Sequence, residues 1–361
     1  MAPVSSVLLA PGTVSVRFSP DPVFNNLASL YMVALADTLS GFDAWVERTA
    51  SGLPAERTRT HRLLFDILYS AFEPDHDLPS FPAFLNHLAG QDPISMRDRF
   101  LKHMFPASGE GYAGRDQLPD LETFIREIDR SEFDREIGRG LFVEAHALLS
   151  DPLALRETIV AHLMTMWHEA LAAEWEHNQA FVGRTVDALR SYHPARQYAG
   201  EQNAYQAIQA VTGRDVQGCW QRVLAPAETL IFIPSSHIGP YLLHYAYGPV
   251  VRILFSPRLP QGVEGGPMEL TRSDFLVQLR ALADDTRLCI LELLSQEGEL
   301  CAQEIITHLN LSKSSASRHL SQLSATGYLV EQQRRGKAKC YSLNPERFKE
   351  TIRALEGYAR S

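Results

Sequence analysis

Between Leu311 and Leu329 the chain reads LSKSSASRHLSQLSATGYL, and its polar residues are of the kinds that hydrogen-bond to nucleic acid. An arginine can bridge O6 and N7 of guanine, a glutamine can pair with N6 and N7 of adenine, and serine hydroxyls can meet either kind of edge. Arg318 and Gln322 supply the first two, and Lys313, Ser314, Ser317 and His319 lie among them. Ser312, Ser314 and Ser315 are small enough for a helix N-terminus to approach a phosphate closely, where its free N–H groups favour negative charge. Serine is disfavoured inside helices, so this density of serine on a helix needs a reason other than folding. A second cluster follows, with Arg334, Arg335, Lys337 and Lys339 around Gly336, suited to flanking phosphates or a minor groove.

The charge distribution agrees with this chemistry although the total does not. The 361 residues carry a net charge of −9. Residues 271–361 hold 13 Lys and Arg against 11 Asp and Glu, so the preceding 270 residues are strongly acidic. From Leu311 to Tyr341 there are six basic residues and one acid, Glu331. A compact basic island in an acidic chain gives a confined phosphate-binding surface.

The surrounding pattern has to hold that helix in place. DFLVQLRALADDTRLCILELLSQEG (Asp274–Gly298) places leucines at helical spacing on either side of ADD, which predicts two core-facing helices with Asp284 or Asp285 capping the second. LCAQEIITHL is a further short helix, NLS a tight turn with Ser312 as N-cap, and the serine-rich helix runs over 312–326 until Gly327. VEQQRRGKAKCYSLN then reads as strand, basic turn and strand, a wing over 331–342. Helix, helix, turn, helix and hairpin is the order of a winged helix-turn-helix, whose second paired helix enters the major groove.

LRALADDTRLCILELL, LCAQEIITHLNLSKSSASRHLSQLSATGYL and RRGKAKCYSLN together resemble the ArsR family of bacterial winged-helix regulators. The motifs of that family, L-A-D-x-T-R, S-x-S-R-H-L and R-x-G-x-x-x-x-Y, fall at Leu282–Arg287, Ser315–Leu320 and Arg334–Tyr341. The resemblance covers about a quarter of the chain. It implies a homodimeric repressor that binds a palindromic double-stranded DNA operator and releases it when an inducer binds, with a small molecule as a possible inducer. Metal-sensing members carry C-x-C before the recognition helix, or Asp and His on the last helix. Here Gln303 replaces the second cysteine after Cys301, and PERFKETIRALEGYAR has no histidine. No metal site and no cofactor are therefore expected.

The remaining chain divides at SPRLPQGVEGGPMEL, whose prolines and glycines predict a linker over 257–270. Upstream, residues 1–256 read as a regulatory or dimerisation domain: a short strand at Thr13–Ser19, a helix capped by Asp21 with Pro22 at its first position, eight further helices, and a small antiparallel sheet near 228–256. The fold class is mainly α with a small β component: an N-terminal α/β, mostly helical domain and a C-terminal winged helix-turn-helix. Trp167, Trp175, His237 and Tyr241 are the candidates for a ligand pocket, with packing into the core as the plainer alternative. His162, His168 and Glu169 do not complete HExxH and are expected on a solvated or interface helix. No nucleophile or phosphate-loop motif marks a catalytic site, so an enzyme with a DNA-binding tail and a scaffold without a ligand stand behind the regulator. Cys289 is expected in the core, and Cys301 and Cys340 could meet only if the wing folded back onto the preceding helix. No apolar run is long enough to span a bilayer, and MAPVSSVLLAPG lacks the basic start of a signal peptide, so the expected location is cytoplasmic with no membrane partner.

Overall fold

The computed structural model describes residues 14–39, 41–105, 118–130, 138–192, 204–214, 216, 220–256, 272–333 and 339–360. The expected linker and the tip of the wing lie outside them. Two units form, one comprising Asp21–Ala180 together with Asn310–Gln322, and the other comprising the remaining segments, Phe181–Leu309 and Leu323–Ser361 with the N-terminal strand, and containing both sheets.

In the helical unit, α1 (Pro22–Leu35) begins where the Asp21 carboxylate accepts the N–H of Phe24, with Pro22 at the first position, as its sequence predicts. There follow α2 (Ala44–Gly52), which the sequence pattern does not predict, and α3 (Ala55–Arg62), which continues into a π-helical turn at Leu63–Ile67 and a 3-10 turn at Tyr69–Ala71. Next come α4 (Phe81–Gly90), α5 (Pro93–Met104), α6 (Leu121–Arg130), α7 (Arg139–Ser150) and α8 (Pro152–Met166). A second π-helical turn, Trp167–Leu171, leads into α9 (Ala172–Tyr192). Ser80, Asp92 and Asp151 cap α4, α5 and α8, each followed by proline at the first or second helical position. Leu27, Leu30, Phe65, Phe72, Phe84, Phe100 and Ile159 are buried to 2 % or less, each worth roughly 1.5–3 kcal/mol of burial.

Within this apolar core sits a polar pair that the sequence pattern does not reveal. His61 Nε2 lies 2.8 Å from the Leu30 carbonyl, and His61 Nδ1 lies 2.9 Å from His162 Nε2. A carbonyl only accepts, so His61 carries its proton on Nε2 and receives one from His162 at Nδ1. His162 is therefore buried, not solvated as its helix suggested. Its neighbour Glu169 does reach solvent and pairs with Arg57. Each histidine lies a few residues before a π-helical turn.

The sheet of the other unit has the order β1–β2–β4–β3, formed by β1 (Ser15–Phe18), β2 (Thr229–Pro234), β3 (Leu242–Tyr247) and β4 (Val250–Phe255). Only the β3–β4 hairpin is antiparallel; β1 runs parallel to β2, and β2 parallel to β4. This corrects the expected antiparallel sheet. The strand near the N-terminus joins it, so residues between β1 and β2 form one long excursion. Phe18, Leu230, Phe232, Ile253 and Phe255 pack against Val186 and Leu189 of α9 and against Ala207, Ile208 and Val211 of α10 (Ala204–Thr212). A single turn, α11 (Gln221–Leu224), precedes β2.

The C-terminal part contains α12 (Arg272–Leu282), α13 (Asp285–Glu297), β5 (Leu300–Cys301), α14 (Ala302–Leu309), α15 (Lys313–Ala325), β6 (Leu329–Gln333), β7 (Lys339–Leu343) and α16 (Pro345–Arg360). The second sheet has the order β5–β7–β6 and is antiparallel throughout. ADDTR is the joint between α12 and α13. Asp284 caps α13 by accepting the Arg287 N–H at 2.9 Å. The buried Arg287 side chain turns back to donate to the Ala281 carbonyl at 2.6 Å and the Arg280 carbonyl at 2.7 Å, closing the end of α12. Leu288, expected among the core leucines, is 49 % exposed, because Arg287, Ile290, Leu291 and Leu294 form the inward stripe of α13.

Two stability predictions follow from these buried groups. Burial, the main cause, holds His61 down to about 4 and His162 to about 3, the latter helped by the nearby His61 and Arg57. Unfolded histidine titrates near 6.5, so at acid pH the unfolded chain binds more protons than the folded one. This contribution to stability is complete above about pH 6.5 and is lost as pH falls toward about 4, at about 1 kcal/mol per pH unit for each histidine. Melting followed by circular dichroism across that range should show the slope, and His61→Phe with His162→Leu should flatten it; an unchanged slope assigns the acid sensitivity to other groups. In the second unit, Arg287→Met should cost about 3 kcal/mol in urea unfolding, because it strips two carbonyls and Asp284 of a charged partner.

Candidate nucleic-acid interface

The helix α15 is set up by the turn before it. Asn310 adopts φ +50°, a left-handed conformation that asparagine tolerates, and this reverses the chain after α14. The Ser312 hydroxyl accepts the N–H of Ser315 at 3.1 Å and lies 3.0 Å from the Ser314 hydroxyl, so Ser312 is the N-cap expected from its type. At the other end Gly327, with φ +83°, permits the N–H of Tyr328 to reach the Leu323 carbonyl at 2.9 Å and stops the helix.

The buried stripe of α15 is Ala316, His319, Leu320 and Leu323, at the three- and four-residue spacing of one helix face. Lys313 and Arg318 are exposed, and Ser314, Ser315 and Ser317 are partly exposed. Two of the expected readers are placed differently. His319 is 7 % exposed and belongs to the inward stripe, while Gln322 is 3 % exposed. Gln322 stands four residues before the buried Thr326, on the border of that stripe rather than on the outer face. Ser321, which its residue type alone does not mark as a reader, shares the outer side with Ser314, Ser317 and Arg318 by helical spacing.

Carbonyls at the C-terminal end of α15 receive two arginines. Arg347 Nε donates to the Thr326 carbonyl at 2.8 Å. Arg214, just after α10, donates through Nη1 to the Ser324 carbonyl at 3.3 Å and through Nη2 to the Pro240 carbonyl in the β2–β3 turn. Cations here complement the negative end of the helix dipole. Behind the helix, the fully buried Tyr328 hydroxyl lies 2.9 Å from Thr351 Oγ1 of α16, which lies 2.9 Å from Gln278 Oε1 of α12. Burial raises the Tyr328 pKa, so the phenol stays a neutral hydrogen-bonding group.

Of the wing residues, Lys339 is exposed on β7 and pairs with Glu331 of β6 at 3.4 Å. Arg334, Arg335 and Lys337 lie outside the described residues. The wing does fold back toward α14: Cys301 of β5 stands opposite Cys340 of β7, and a disulfide joins them. Cys289 is a free, partly buried thiol and not a core residue. The four candidates for a ligand pocket do not form one cluster within a unit. Trp167 packs on Phe81 at 5.3 Å between ring centroids in the helical unit, and Trp175 is partly buried on α9. His237 and Tyr241 lie in the β2–β3 turn, His237 buried and Tyr241 partly so.

Comparison with known proteins finds the family described as "Bacterial regulatory protein, arsR family" over residues 284–330, from the cap of α13 through α15 to the start of β6. The arsenic resistance transcriptional regulator ArsR1 of Pseudomonas putida is 43 % identical over 70 residues, covering 19 % of this chain and 54 % of the relative. The arsenical resistance operon repressor of Escherichia coli is 44 % identical over 66 residues, covering 18 % and 56 %. An uncharacterized HTH-type transcriptional regulator of Methanocaldococcus jannaschii, MJ1325, is 34 % identical over 77 residues, covering 21 % of this chain and 85 % of its own length. The chain thus spans about half the length of the two arsenic-resistance regulators, and most of its own residues lie outside every one of these matches. With the motif residues forming the α12–α13 joint and the capped, one-sided α15, the chain belongs to the ArsR family of regulators through its C-terminal region.

Proposed function

We propose that this protein is a DNA-binding transcriptional regulator acting as a homodimeric repressor at a palindromic operator. The observation that carries the reading is the division of α15: an apolar stripe held inward, with Lys313, Arg318 and serines outward on the element that the family match covers. In this reading α15 enters the major groove by its N-terminal turns. Ser312, Ser314 and Ser315 line that end, and Arg318 reads a guanine edge. Lys339 and the basic wing residues Arg334, Arg335 and Lys337 hold the flanking phosphates.

Two copies of α15 would have to stand one turn of DNA apart, roughly 34–36 Å. The last helix offers a surface for pairing, since Ile352 and Leu355 on α16 are 54 % and 44 % exposed. Residues 1–256 would then carry the regulatory role, with a small molecule as one class of inducer. Any such ligand acts only to the extent that it binds the DNA-competent and released forms with different affinity.

Operators selected from random duplexes by the full chain provide the test, with binding measured by fluorescence anisotropy. Arg318→Ala should lose about 1–3 kcal/mol on the selected operator and relax discrimination at one base pair. Unchanged specific binding would remove α15 from the role of reader. Lys337→Ala should weaken all duplexes alike and reduce the slope of log affinity against log salt by about 1.

A further inference from the structure

We infer that Cys301 and Cys340 form a reversible oxidation site for hydroperoxides, and that closing the disulfide lowers the protein's affinity for DNA. The inference rests on the DNA-binding reading above and assigns its regulation to two residues within the same domain.

The placement of the pair is the basis. Cys301 ends β5, a strand of only two residues, and immediately precedes α14, the first helix of the helix-turn-helix. Its own N–H donates to Glu304 Oε2 at 2.7 Å, which marks it as the capping position of α14. Cys340 lies in β7, the returning strand of the wing, and is fully buried. The two are direct partners across the antiparallel pair, next to Leu300 and Tyr341. With the disulfide formed, the start of α14 and the wing strand are one covalent body. With it open, they are joined by a two-residue strand pairing and by non-covalent packing. The wing and the helix-turn-helix both have to contact one DNA duplex, so their mutual freedom bears directly on binding.

The exposures of the two sulfurs fit a divided role. Cys301 is partly exposed, ahead of α14, and takes the attacking position. Cys340, beneath it, takes the resolving position. The Cys301 thiolate attacks one peroxide oxygen, the O–O bond breaks, and the other oxygen leaves as hydroxide and is protonated to water, giving Cys301 sulfenic acid. The Cys340 sulfur then attacks the Cys301 sulfur, the S–S bond forms, and the sulfenic oxygen leaves as a second water with the Cys340 proton. Two thiols lose two electrons and the peroxide gains them. A dithiol reductant reverses the change by thiol–disulfide exchange. The direction assigned follows from that constraint: the crosslink ties the wing strand to the start of α14 and removes the mutual freedom with which the two elements fit one duplex, so the crosslinked form is assigned to the released state.

The test uses the full chain, first reduced with dithiothreitol and then treated with hydrogen peroxide. Peptide mass mapping should find the Cys301–Cys340 crosslink after oxidation and lose it on re-reduction, a readout that does not depend on DNA. On an operator selected by the reduced protein, oxidation should lower affinity about tenfold, within the usual range of coupling between sites, and re-reduction should restore it. Cys340→Ser and Cys301→Ser should each bind like the reduced protein before and after peroxide. Failure to form the crosslink overturns the oxidation site, and a crosslink that leaves affinity unchanged or raises it overturns the regulatory role. A reduced protein that selects no duplex, yet still forms the crosslink reversibly, counts against the DNA-binding reading and leaves the oxidation site standing.

Discussion

A helix that must offer polar atoms to a partner has to be held entirely from behind and from its two ends, and the C-terminal region is organised around that constraint. Ala316, His319, Leu320 and Leu323 supply the hold from behind. Ser312 closes the N-terminal end, and Gly327 with the arginines at positions 347 and 214 closes the other. The Ser314 hydroxyl touches the Ser312 cap, while the contacts named here do not draw on Ser317, Arg318 or Ser321. The serine content of the helix, unfavourable by propensity, is tolerated because stability comes from the buried stripe and the caps.

The joints around the helix include buried charged and polar groups. Arg287 is buried and shares its donors between the Asp284 cap and the end of α12. Tyr328, Thr351 and Gln278 link the residue after α15 to α16 and α12 in a buried chain of hydrogen bonds. Such groups are costly when unsatisfied, so they penalise any packing other than the one that pairs them. They fix the angle between helices more sharply than leucine contacts do, which is what a fixed presentation of α15 requires.

Much of this region is legible in the sequence because its determinants are local. Ser312, Gly327 and Asp284 each act within one turn, and each takes the place its residue type predicts. Several of the failures share one cause, which is distance along the chain. His61 and His162 are 101 residues apart, and nothing in either flanking sequence names the other. The strand at Ser15–Phe18 alternates correctly but finds its parallel partner at Thr229–Phe232, so a local reading of three later strands gives the wrong sheet. Cys301 and Cys340 are 39 residues apart, and their meeting depends on a two-residue strand too short to predict. Gln322 shows a subtler limit: its type suits an adenine edge, but a helical face has a border, and residue type does not say on which side of it a side chain falls.

Arg214 shows how the sheet and α15 come to share one group. Its guanidinium donates to Pro240 in the β2–β3 turn with one nitrogen and to Ser324 at the end of α15 with another. The same turn holds His237 and Tyr241, and Pro240 lies between them. A planar guanidinium keeps its donors in a fixed fork, so a shift of either carbonyl is felt by the bond to the other. Arg214 itself follows α10, whose Ala207, Ile208 and Val211 are buried on the four-stranded sheet. The sheet is therefore part of the support of α15 and not merely an appendage to it. Because β1 and β2 are neighbours in that sheet, the long helical excursion between them leaves from and returns to the same small structure.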